Sequence, residues 1–437
     1  MKKLYLLIIT LCSFTFNISH SEPLEISITE GEVKKTNIAI SEFYTPLNND
    51  KTADIIQKIN SVMNNDLMSS GLFQIYDKQS FMQKPNEMRF RPKFADWRPL
   101  NVEILVTGKV IPIDNKFKIE MYVWDIIRQK QIFSKRYMIG GNAWRRLSHL
   151  MSDDIYTRVT GETGYFDSRV LFVSEQKKEN RKLKKIAIMD LDGENIKYIT
   201  DGKYIALTPR FSPDKKHIAY MSYKKGIPAV YLHNIRNGKV KFLGEFKNMT
   251  YAPRFSPDGE KLIFSYAISG RSNIWSMDIT NSKFKQITNN NHIDTSPAYS
   301  PDGKNIVFTS NRDGSPQIYI MNLSSGKVKR LTTGDGSYTT PVVSPRGDLI
   351  AFTKQSNGKF YIGVMNIDGT GERLISNSFL DEGPSFAPNG RTLIFFRNDI
   401  ELGKTKLMSI DITGYNLREI KTPHGASDPN WSGLNTR

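Results

Sequence analysis

From residue 165 onward, apolar residues fall in short runs separated by turn residues. Ile218-Ala219-Tyr220, Leu262-Ile263-Phe264, Ile306-Val307-Phe308, Leu349-Ile350-Ala351-Phe352 and Leu393-Ile394-Phe395-Phe396 are such runs. They are too short for helices and rich in β-branched and aromatic residues, so they read as strands. One signature precedes each run. Pro209-Arg210-Phe211-Ser212-Pro213-Asp214 returns as Pro253-Arg254-Phe255-Ser256-Pro257-Asp258-Gly259, then as Pro297-Ala298-Tyr299-Ser300-Pro301-Asp302-Gly303. Pro341 to Gly347 and Pro384 to Gly390 are further copies, and Pro429-Asn430-Trp431-Ser432-Gly433 is a truncated one. Their aromatic or apolar position falls at 211, 255, 299, 343, 386 and 431, at spacings of 44, 44, 44, 43 and 45. Pro-Asp-Gly is turn chemistry: Pro presets φ, Asp bonds back to the chain, and Gly takes positive φ. An alternating run such as Ile318-Tyr319-Ile320-Met321 follows, then a turn and a last short strand. Four strands in about 44 residues is a propeller blade, and residues 165–437 hold about six of them.

The register also predicts how the ring shuts. The first triplet, near Val170–Val173, Ile186–Met189 and Ile196–Thr200, has no Pro-x-aromatic-Ser strand before it. The last such strand, Pro429–Ser432, has no triplet after it. The C-terminus is therefore expected to supply the inner strand of the first blade, which removes the exposed sheet edges.

Residues 34–160 lack the repeat. Ala53 to Met68 carries apolar residues at helical spacing and ends before Gly71. Asn37–Phe43, Phe73–Tyr76, Glu103–Val110, Lys116–Trp124 and Gln131–Tyr137 suit strands. Asn142 can cap a second helix, Ala143 to Val159, which ends before Gly161. This is a small α/β domain, joined through Gly161–Gly164 to an all-β six-bladed propeller.

The N-terminal pattern differs again. Two lysines precede a mostly apolar stretch, Leu4 to Phe16, and Ser19-His20-Ser21 offers a cleavage site. Residues 1–21 read as a signal peptide cut near Ser21, with residues 22–33 left as a flexible segment. Leu11 before Cys12 argues against lipidation at that cysteine. The chain has 61 Lys plus Arg against 44 Asp plus Glu, a net charge of +17. Removal of the signal takes two lysines and the single cysteine, leaving +15 and no thiol. Export makes nucleic acid a poor partner for that charge. No run of 18 apolar residues is present for a transmembrane helix.

The signal, the small α/β domain and the Ser-Pro-Asp-Gly propeller together resemble the TolB family of the Tol–Pal system. Phe379-Leu380-Asp381-Glu382-Gly383-Pro384-Ser385-Phe386-Ala387-Pro388-Asn389-Gly390 is the most specific part of the likeness. The resemblance implies a periplasmic, monomeric, non-enzymatic protein. It implies binding of the peptidoglycan-associated lipoprotein Pal at one propeller mouth and of TolA through the mature N-terminus. Roles in cell division and outer-membrane integrity follow, with other outer-membrane proteins and bacteriocins as further partners.

The loops feeding the inner strands differ between copies although the strands agree, and such loops carry recognition. The expected mouth residues are Leu207, Met249, Thr250, Tyr251, Ala252, Asp294, Thr295, Thr339, Asp381, Glu382 and Asp428. Of these, the resemblance implies Leu207, Met249, Ala252 and Thr295 as Pal or bacteriocin contacts; Met249 stands where the family pattern has His. Glu22, Pro23, Leu24, Glu25, Ile26, Ser27 and Ile28 alternate from Leu24 and suit strand addition to a partner. No cofactor is expected, although Asp294, Asp381 and Asp428 leave calcium in the channel mouth as an option. Two alternatives remain open. Tyr251, Tyr338 and Trp431 could stack on glycan or peptidoglycan, with Trp431 also holding a core position. A peptidase-type propeller would need a hydrolase domain, yet the chain has no Gly-x-Ser-x-Gly elbow.

Overall fold

The computed structural model describes residues 34–435 apart from 48–49, 179–180, 246–248 and 269. Residues 1–21, read above as a signal peptide, and the 22–33 segment lie outside the described residues. The N-terminal part is a five-stranded sheet in the order β2-β1-β3-β4-β5, with β1 at Thr36–Ile40, β2 at Phe73–Ile75, β3 at Ile104–Ile113, β4 at Lys116–Asp125 and β5 at Lys130–Gly140. β1 runs parallel to β2 and β3, and β3 to β5 form an antiparallel meander.

Two helices, α1 (Asp50–Ser69) and α2 (Trp144–Thr160), cover one face. Ile55, Ile56, Ile59, Met63 and Leu67 of α1 and Leu147, Met151 and Ile155 of α2 are buried against Ile38, Ile40 and Val106. Strand alternation sends Ala39 and Leu105 to the other face. There Met88, Phe94 and Trp97 close a second core with Trp124. Those three come from the segment between β2 and β3, which shows no period in sequence and forms only short 3-10 turns. α2 ends as expected on Gly161, whose φ of 77° lets its N–H reach the Thr157 carbonyl. Its start differs: Asn142 lies in a 3-10 turn, Ala143 holds the capping position, and no side chain caps the helix.

Six four-stranded sheets follow. The inner strands of blades 2 to 6 are Ala206–Phe211, Met249–Phe255, Asp294–Tyr299, Ser337–Val343 and Asp381–Phe386. The inner strand of blade 1 is Gly425–Trp431, paired antiparallel with Arg169–Lys178, so the C-terminal strand closes the ring. Trp431 anchors the closure. It is buried, its indole N–H donates to Ser168 Oγ at 2.8 Å, and its backbone N–H donates to Ser385 Oγ at 3.0 Å.

Candidate partner-binding site

Every inner strand carries the same irregularity. Two residues, the repeated proline and the one before it, stand opposite a single residue of the second strand. Leu207 pairs with Met221 and Arg210 with Ala219, leaving Thr208 and Pro209 against Tyr220. The same bulge places Ser296-Pro297 against Phe308, Thr340-Pro341 against Phe352, Gly383-Pro384 against Phe395, and Asp428-Pro429 against Phe172. The opposed residue is a buried aromatic in each case. A bulge of this kind bends its strand and increases the local twist. The residue before the proline is left-handed: Thr208 (φ 50°), Ser296 (52°), Thr340 (49°), Gly383 (66°) and Asp428 (50°).

These bends set one rim of the ring. Leu207, Thr295, Thr339, Glu382 and Asp428 all lie at or just before a bulge, and all are half-buried. Met249, Thr250, Tyr251 and Ala252 lie on the inner strand of blade 3, but their side chains are outside the described set. Asp294 and Asp381 are at the same rim yet fully buried. Arg397 grips Asp381 with two hydrogen bonds of 2.7 and 2.8 Å. Asp294 accepts from Arg312 at 3.3 Å and from Asn290 at 2.8 Å. These two carboxylates brace the rim from inside and do not face a partner or join Asp428 around an ion. Their partners sit on or just after the second strand, so the ion pairs depend on a register that single loops do not display. Burial raises the Asp428 carboxyl, and it raises that of Glu382 with help from Asp428.

The glycan-stacking set is not assembled. Tyr338 is fully buried with its hydroxyl on Glu372 at 2.8 Å, and Trp431 is the closure anchor. Neither ring is free to meet a sugar face.

The N-terminal domain docks on the opposite end of the ring, against the signature-type turns of blades 5 and 6 and the outer hairpin turns of blades 6 and 1. Asn416 of blade 6 donates to the Ser69 carbonyl at 2.8 Å and so caps α1. A Cβ on Gly71, at φ 73°, would sit 2.6 Å from that side chain. Glu162 bonds Arg391 at 2.9 Å and Arg346 at 3.3 Å. The hairpin turn Asp190–Gly193 meets α2, where Arg145 pairs with Asp192. Beside it, buried His149 holds Asp66 of α1 through Nδ1 at 2.8 Å, with Nε2 3.8 Å from Asp192. Burial pulls the His149 pKa down, but the charge and hydrogen bond of Asp66, with Asp192 and Asp190, push it up to about 9. Among the described residues Asp66, His149 and Asp192 form the one grouping with metal-ligand spacing. Arg145 on Asp192 makes it an ion-pair network instead. None of this clamp was visible in sequence, because its members come from three distant segments. The docking leaves the rim free.

An α/β domain fused to a closed six-bladed propeller with one open, variable rim defines a binding scaffold architecture. Residues 156–435 match the TolB beta propeller domain and residues 24–132 the TolB amino-terminal domain. The chain belongs to the TolB family. It is 56% identical over 427 residues to the Tol-Pal system protein TolB of Pelagibacter ubique (strain HTCC1062), covering 94% of this chain and 95% of that relative. The crystal structure of TolB from Acinetobacter baumannii superposes with a TM-score of 0.83 at 29% identity, over 92% of this chain and 97% of that one. Among the described residues no helix is long and apolar enough to cross a membrane.

Proposed function

We propose that this protein is a periplasmic, non-enzymatic scaffold of the Tol–Pal system. Its propeller rim binds the peptidoglycan-associated lipoprotein Pal, and residues 22–33 bind TolA by strand addition. The observation that carries the reading is the rim itself: half-buried, chemically varied side chains on a rigid repeating frame, at the end that the N-terminal domain leaves open. Leu207 and Thr295 are the expected centre of the contact. Leu207 also leans on the core between blades 2 and 3, so its position is well defined. Outer-membrane constriction at division is the process such a scaffold would serve.

Capture tests the proposal. Residues 22–437 are immobilised and exposed to envelope extract. Capture of a Pal-type lipoprotein is expected, with TolA binding alone lost on deletion of 22–33. Leu207→Arg and Thr295→Arg should abolish lipoprotein capture while the folded signal stays intact. Capture of glycan without lipoprotein would overturn the reading.

A further inference from the structure

We infer that the central channel holds a small oxyanion between the guanidinium groups of Arg210 and Arg254. The two arginines occupy one slot, directly after the repeated proline, on the inner strands of neighbouring blades. Each inner strand is flanked by the inner strands of the next blades and backed by its own second strand. The exposure left to these half-buried side chains is therefore to the channel. The same slot carries Ala298, Val342, Ser385 and Asn430 in the other blades, so the positive charge is confined to one arc.

Neither arginine is neutralised by the protein around it. Arg210 donates one Nη to the Pro209 carbonyl at 2.7 Å, and its Nε is buried without an acceptor. Asp428 is near enough to act on its charge, but no ion pair closes between them. Burial raises the Asp428 carboxyl, which weakens it as a counter-charge. Arg254 has no ion pair or hydrogen-bond acceptor among the described residues. Burial, and then the charge of Arg210, hold its pKa well below the usual arginine value.

Arginine does not readily give up its proton, so an anion is the remaining way to relieve the pair. A sulfate, phosphate or carboxylate group offers paired oxygens to the guanidinium forks. It would supply the acceptor that Arg210 Nε lacks and remove the repulsion between the two cations. The same charges disfavour a calcium ion in this part of the channel.

Inorganic phosphate is the probe. Thermal unfolding of the full chain is followed against phosphate concentration, with sodium chloride at matched ionic strength as control. A saturable rise in midpoint is expected for the wild type, and affinity about tenfold weaker or less in Arg254→Met, the loss of a charge-assisted hydrogen bond. No saturable rise, or an equal one in Arg254→Met, would overturn the inference. If that variant does not fold, wild-type crystals soaked in selenate decide. An anomalous peak between the two guanidiniums supports the site, and no peak there sinks it. The outcome is independent of lipoprotein capture at the rim.

Discussion

Raising the pH through the His149 transition probes how the two domains are held together. His149 is 3% exposed and faces Asp66 of α1, Asp192 and Asp190 of blade 1, and Arg145 of its own helix. Its pKa rises from 6.5 unfolded to about 9 folded. A folded value above the unfolded one means that the stabilisation is complete below about 6.5 and is lost as pH climbs through about 9. The shift corresponds to about 3 kcal/mol, since each pKa unit is worth about 1.4 kcal/mol. Urea unfolding is measured at pH 6 and pH 9.5 for the wild type, His149→Gln and Asp66→Asn. The wild type should lose about 3 kcal/mol more than His149→Gln across that window. Asp66→Asn should flatten the same slope, because burial then pulls the imidazole down unopposed by its main counter-charge. Equal losses in wild type and His149→Gln would refute the account of the clamp, since other titrating groups would then carry the whole effect.

Three further outcomes follow from the ring. Thr208→Gly should raise the unfolding free energy measured in urea by about 1 kcal/mol, because a left-handed Thr is strained and its Oγ1 is buried without a partner. Thr340→Gly should gain less, since it forfeits the 2.8 Å bond to Thr353 Oγ1. Trp431→Ala should cost about 3–5 kcal/mol; limited proteolysis should then cut first in the blade 1 hairpin Arg169–Asp190, and unchanged resistance would count against the closure.

The ring was legible because its signals are local and repeated. Pro-Asp-Gly turns and short β-rich runs return every 44 residues or so, and the unpaired first triplet and last strand foretold the closure. The bulges were not legible as bulges. Their marker is Pro after a left-handed residue that varies among Thr, Ser, Gly and Asp. Asp294 and Asp381 looked like mouth residues because loop position says nothing of cross-strand partners; the register that brings Arg312 and Arg397 beneath them is set by those bulges. Arg210 and Arg254 were in plain view in one repeat slot, but only closing the circle makes them neighbours. Segment 76–103 gave no pattern because its core residues, such as Met88, Phe94 and Trp97, hang from 3-10 turns and loops.

Closure by Gly425–Trp431 has a consequence for biogenesis. A ribosome makes the chain from its N-terminus, so the partner strand Arg169–Lys178 exists some 250 residues before the segment that completes its sheet. Until that tail emerges, blade 1 presents a bare hydrogen-bonding edge, and the loop still to be closed spans five blades. A prematurely terminated chain can form every intermediate blade and still fail to join its ends. Only a chain that carries Gly425–Trp431 can bury that edge, so the last residues made are the ones that complete the first blade.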